Sequence, residues 1–235
     1  MQTNPLQLGS AITMLPIVHG SAQSALLVRR RMLEGSFDAL AVPLPVSFAE
    51  PVCEAVERLP VPAMVLQEAG LRWGGDWSAP DLSQLGIELG SGGAAGGDDD
   101  SLEDDEDVAW SYVPIDPCQG VIAAIRSALG EHLPIHWIDM ESPQYQPMVA
   151  ALPDPYALRC VAPERFAAAI LPTLQRPTGQ LNQLRMLHMG WQLRRLEQQH
   201  RRILFVCSVQ EWPWIREAYG ALASENSVAS DVWLS

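Results

Sequence analysis

Apolar residues along the first third of the chain fall into short continuous runs separated by helical periodicity. Residues 11–18 (AITMLPIV) form an unbroken apolar run of strand length, the pattern of a strand covered on both faces. His19 and Gly20 follow, and Ser21 is placed to cap a helix over Ala22–Glu34, which Gly35 ends. Ala22, Ala25, Leu26 and Leu33 mark its predicted inner side, with Arg29, Arg30 and Arg31 largely outside. Residues 40–44 read as a second buried strand. Ser47 and Glu50 have the spacing of a capping box for a helix over residues 48–58, and residues 61–67 read as a third strand. Strands and helices alternating over short connections predict a parallel sheet with right-handed crossovers.

The pattern lapses over residues 70–97, where Trp73 and Trp77 stand among glycines, and residues 91–107 are Gly/Ala-rich and then acidic. So little apolar surface does not offset the entropy of ordering, which predicts a flexible insert. The acidic run DDDSLEDDED lacks the glycine-turned, alternating ligands of a calcium loop. Order is expected to return with a strand over residues 108–115. Asp116 would then cap a helix with Pro117 at its first position, stopped by Gly130. Residues 134–139 (PIHWID) predict a strand that delivers Asp139 at its end. Helical patterns cover residues 163–171 and 180–200, residues 203–209 form a last apolar strand, and residues 211–222 a last amphipathic helix. The expected fold is therefore α/β, a mainly parallel sheet flanked by helices, with a disordered acidic insert. Residues 1–90 form its first half, 91–107 the insert, 108–222 the second half of the same domain, and 223–235 an indistinct tail.

Charge and composition narrow the function classes. The net charge of −13 over 235 residues owes eight acids to the single run between Asp98 and Asp107, so the remainder is only mildly acidic. Nothing builds the broad positive field of a nucleic-acid binder. All 15 basic residues are arginine, which excludes a Walker-type phosphate loop, pyridoxal chemistry and Schiff-base aldolase chemistry, each of which needs a lysine. The four cysteines form no CxxC pair. Cys53, Cys160 and Cys207 stand among apolar neighbours and read as reduced core residues. The first residues carry no basic segment of the kind that opens a signal peptide, and no apolar run reaches the roughly 20 residues of a membrane span. A cytoplasmic protein with no membrane partner is the expectation.

In parallel α/β sheets, ligands bind beyond the carboxyl ends of the strands. His19, Asp139, Gln210 and Glu211 are delivered there, and Arg185 lies near the apolar face of its helix, where a guanidinium requires an anionic partner or a cleft. Each has an ordinary structural alternative as a cap, turn or ion-pair residue. His188 reads as a core histidine, and His132, His136 and His200 have no partner at metal-ligand spacing. No GxSxG elbow, HExxH motif or dinucleotide fingerprint occurs, so no cofactor or metal is expected.

The order of these parts resembles a known superfamily. A strand ending in VHG (Val18, His19, Gly20), an arginine-rich helix and FDALAVPL are similar to the opening of the TraB/TIKI, ChaN and erythromycin-esterase-like proteins. The stretch YVPIDPCQGVIAAIRSALGEHLPIHWIDM resembles their middle section, and Arg185 with HMGW followed by ILFVCSVQEW resembles their closing helix and strand. The resemblance implies an α/β core with a polar centre of His, Glu, Arg and His, and a hydrolase ancestry that includes metal-dependent peptidases. Carried over by position, His19 matches the first histidine, Asp139 the central acid and Arg185 the arginine. Pro16 stands where the first motif has glycine, Pro43 where a strand glutamate belongs, and Gln210 where the second histidine belongs. Glutamine is no general base near neutral pH, and a metal would lose an imidazole and a carboxylate together. The expectation is a divergent member with a decayed catalytic centre, acting as a binding or assembly module for a protein partner. Two rivals accompany it: a hydrolase using His19, Asp139, Arg185 and Glu211, and a structural domain of a larger protein.

Overall fold

The computed structural model describes residues 4–68, 110–142, 148, 150–177 and 179–232. Seven strands lie among them: β1 (Gln7–Leu8), β2 (Ile12–Ile17), β3 (Ala39–Pro45), β4 (Ala63–Glu68), β5 (Trp110–Ile115), β6 (Ile135–Asp139) and β7 (Ile203–Ser208). Six α-helices accompany them: α1 (Ala22–Glu34), α2 (Ala49–Glu57), α3 (Gly120–Gly130), α4 (Pro163–Ile170), α5 (Gln180–Leu196) and α6 (Trp212–Val232). The main sheet runs β1-β2-β7-β3-β6, with only β1 antiparallel. The acidic insert expected at residues 91–107 lies outside the described residues.

All six residues of β7 are buried because the strand occupies the middle of the sheet, between β2 and β3. Its side chains alternate between two cores, as a pleated strand requires. Ile203, Phe205 and Cys207 face the layer of α4, α5 and α6, while Leu204 and Val206 face α1, α2 and α3. Helices α1, α2 and α3 form one layer and α4, α5 and α6 the other, and β7 contributes to both cores.

Two prolines shape the sheet. On β2, the Met14 N–H donates to the Leu6 carbonyl (2.7 Å), so the next outward position along that edge belongs to Pro16. Having no N–H, Pro16 leaves no donor on the sheet's outer side, where proline is tolerated. On β3, pairing with β7 extends over Ala39, Leu40 and Ala41 and stops there. Pro43 is the next residue directed toward β7, and its missing N–H ends the ladder. Pairing with β6 also shifts between Val42 and Pro45. The carboxyl ends of β3 and β7 thus separate just where the polar residues are delivered.

Several local expectations are corrected. Strand β4 is not a third parallel strand: β4 and β5 form a separate antiparallel ribbon, which buries Val65 and Ile115 in the same core as α2. Ser47 does not cap α2 with Glu50. Its N–H and hydroxyl both donate to the Glu141 carboxylate (3.1 and 2.9 Å), and a short 3-10 turn over Val46–Phe48 leads into the helix. Asp116 does not cap α3 either. Its carboxylate takes the Cys118 N–H (2.7 Å) in a preceding turn, and the helix starts at Gly120, where a Cβ would stand 2.7 Å from Ile17 Cδ1. Ser21 does cap α1, accepting from the Ser24 N–H. The inner face of α1 is Ser24, Ala25, Val28 and Met32, whereas Leu26 and Leu33 are exposed; Ser24 is drawn in because its hydroxyl takes the Val18 N–H (3.1 Å). Cys160 is exposed, since its apolar neighbours lie in a turn rather than a regular element. Helix α5 ends at Leu196, before His200, and α6 continues past Leu222 to Val232.

Helices α5 and α6 pack closely at Gly190, where a Cβ would stand 2.9 Å from the Tyr219 backbone nitrogen. Gly190→Val is expected to cost about 1–3 kcal/mol through overpacking. Gly220→Ala, at a helix position with nothing within 4 Å, is expected to be neutral or to stabilise by about 0.5–1 kcal/mol. Urea denaturation of the two variants beside the wild type reads both.

Candidate functional site

Three of the five candidate residues meet in one buried ionic cluster. Asp139 ends β6, Arg185 projects from the second turn of α5, and Glu211 stands immediately before α6, where its carbonyl accepts from the N–H groups of Trp214 and Ile215. Arg185 Nε lies 3.1 and 3.2 Å from the two Asp139 carboxylate oxygens, and Nη2 makes a shorter contact with Oδ2. Arg185 Nη1 reaches Glu211 Oε1 at 3.2 Å and Asn182 Oδ1 at 3.5 Å. The guanidinium therefore grips one acid side-on with two nitrogens and turns the third to the other, using the fork geometry that distinguishes arginine from lysine.

Burial decides what this cluster can do. Relative exposure is 8% for Asp139, 4% for Arg185 and 5% for Glu211, so all three charged groups have left bulk water. One guanidinium faces two carboxylates, and the balance of charge falls on Glu211. Burial pushes its pKa up, Arg185 opposes the rise, and the Asp139 charge adds to it. His188, one turn along α5 from Arg185, is also buried. Loss of hydration holds its pKa below the ordinary value, against the pull of the Asp139 charge, and the Gln192 amide nitrogen lies 3.3 Å from its Nε2. A neutral imidazole beside a compensated ionic cluster is a packing element with polar character.

His19 and Gln210 do not join the cluster. His19 is exposed in the turn after β2, where Gly20 has a positive φ of 69° and donates its N–H to Gln119 Oε1 (3.0 Å), holding the turn toward α3. Among the described residues His19 has no hydrogen-bond or ion-pair partner. The protein packed around it lowers its pKa, but its solvent contact offsets much of that cost. Gln210 is half-buried, and its backbone N–H donates to Ser208 Oγ (3.2 Å). Among the described residues no group of three His, Cys, Asp or Glu side chains is arranged to hold a metal ion. No helix of the described residues is long and apolar enough to cross a membrane.

Sequence reasoning missed one participant in the cluster and one contact outside it. Asn182 stands three residues before Arg185 on the same helix, a spacing that brings side chains together, so its role was open to inspection. The other is a correction: His136 and His200 are partners, with their Nε2 atoms 3.0 Å apart across 64 residues of chain. No local spacing encodes that contact.

Arg185→Ala is expected to cost about 3–5 kcal/mol, because it leaves two buried carboxylates without their counter-charge. Glu211 adds a pH dependence. Its folded pKa lies above the ordinary 4.5, so its protonation stabilises the fold fully below the unfolded pKa. That contribution is lost as pH rises through the folded value. Glu211→Gln, neutral throughout, is expected to flatten this loss. Urea midpoints of wild type and variant measured from about pH 4 to pH 7 should diverge in that sense; parallel curves would show that Glu211 titrates alike in the folded and unfolded states.

No family model, no curated protein and no solved structure matches this chain.

Proposed function

We propose that this chain is a divergent member of the TraB/TIKI, ChaN and erythromycin-esterase-like superfamily whose polar centre has become an internal strut, and that it acts as a binding or assembly module. The observation that carries the reading is the burial and mutual engagement of Asp139, Arg185 and Glu211. A general acid or base must reach a substrate proton, and an oxyanion-stabilising arginine must present free N–H groups to a developing charge. Here the carboxylates accept from Arg185, and three of its nitrogens donate to Asp139, Glu211 and Asn182.

The three positions that depart from the superfamily pattern support the same reading. Pro16 serves an outer edge and Pro43 ends a ladder, so both have backbone roles that need no reactive side chain. Gln210 stands at the second histidine's position with an amide that cannot cycle a proton near neutral pH. The hydrolase alternative would require His19 to act on a substrate together with the ionic cluster.

Calorimetric titration of the whole protein with zinc, manganese and cobalt, beside a His19→Ala variant and with a panel of ester and peptide substrates, tests this. Expected are no turnover above that of the variant and no metal binding that depends on His19. Turnover lost in both His19→Ala and Arg185→Lys would replace the module by an enzyme.

A further inference from the structure

At the opposite end of the sheet from the ionic cluster, two histidines face each other. His136 is the second residue of β6, paired with Ala41, and His200 sits in the connection between α5 and β7. Their Nε2 atoms are 3.0 Å apart, the ring centroids 4.9 Å apart, and the planes inclined by 61°, so the rings meet at an angle rather than stack. Both residues are half-buried, leaving a side open to water.

We infer that His136 and His200 form a two-histidine site for a late first-row divalent cation, Cu2+ or Ni2+, with water completing the coordination. Imidazole nitrogens bind such ions at about 2.0–2.1 Å, so nitrogens 3.0 Å apart subtend a ligand–metal–ligand angle of about 94°. That is the cis angle of square-planar and tetragonal geometry, which Cu2+ and Ni2+ favour, and it falls short of the tetrahedral angle zinc takes in structural sites. The nitrogens already stand at the separation this angle requires, and the rings turn about their side-chain bonds to bring both lone pairs onto the ion.

Both ligands are held in advance. His136 is fixed by strand pairing to β3. The loop after His200 is clamped by Asp38, whose carboxylate takes the N–H groups of Arg201 (2.9 Å) and Arg202 (3.0 Å), and the His200 N–H itself donates to the Leu196 carbonyl (2.9 Å). Asp38 brings negative charge beside His200. The Arg201 and Arg202 side chains are exposed, so water screens their opposing charge. Each ligand binds the ion through the lone pair of a neutral imidazole nitrogen. Without metal, one Nε2–H donates to the other Nε2; on binding, that ring carries its proton on Nδ1 instead, and no proton is lost.

The test is calorimetric titration of the tag-free full chain with Cu2+ and with Ni2+, beside His136→Ala, His200→Ala and His19→Ala. One micromolar site is expected, weakened about tenfold or more by each of the first two changes and unchanged by the third. Thermal unfolding of the metal-free variants checks that they fold. Electron paramagnetic resonance of the copper form of the unaltered protein needs no variant, and two coordinated imidazole nitrogens are expected. Absent binding, binding indifferent to His136 and His200, or an oxygen-only copper environment overturns the site. Binding lost only with His19→Ala also overturns it, and would instead count against the non-catalytic reading of the other end of the sheet.

Discussion

A guanidinium buried between two carboxylates ties together the three elements that close the second half of the chain. Arg185 joins the end of β6 to the start of α6 through α5, so the strand that ends one edge of the sheet and the helix that follows its centre are held by one side chain. The surrounding apolar layer cannot supply that connection, because apolar contacts fix proximity without fixing direction. Placing these charges out of water costs several kcal/mol per ion, which only good geometry and hydrogen bonding repay. The bidentate grip on Asp139 meets that condition; Glu211, sharing the same cation, meets it less fully, so burial and the Asp139 charge push its pKa up against the pull of Arg185. The cluster is thus an anchor with one weaker arm.

Much of the fold was legible because its signals are local. Apolar runs at residues 11–18 and 203–209, the Ser21 cap and the change from continuous apolar runs to helical period each lie within a few neighbouring residues. Errors arose where a distant partner took over a local signal. Ser47 has the spacing of a capping box, yet Glu141, 94 residues away, offers two carboxylate oxygens in place of one helix N–H. Residues 61–67 carry a strand pattern, but nothing in them says whether the partner is β7 or β5. The inner face of α1 was misplaced because Ser24 is polar by type and buried by its bond to Val18.

The site divides along the same line. Asp139, Arg185 and Glu211 were among five candidates drawn from strand ends and one helix face, and no local signal separated them from His19 and Gln210. That the cluster is sealed did not follow, because burial depends on how α4, α5 and α6 pack as a layer. His19 was placed correctly at a strand end, but the turn is held toward α3 through Gln119, a contact across 99 residues that gives no local trace.

The position of β7 has a consequence for how this chain is made. Strands β2 and β3 are synthesised early, but the strand that lies between them comes last of the sheet's described strands. Until it arrives, two apolar strands present edges meant for a partner that does not yet exist, over a separation of more than 150 residues. Contacts of such long range are slow to form and leave adhesive edges exposed meanwhile. The nascent first half therefore has a sheet with its middle missing, and both strand edges stay open until β7 pairs with each.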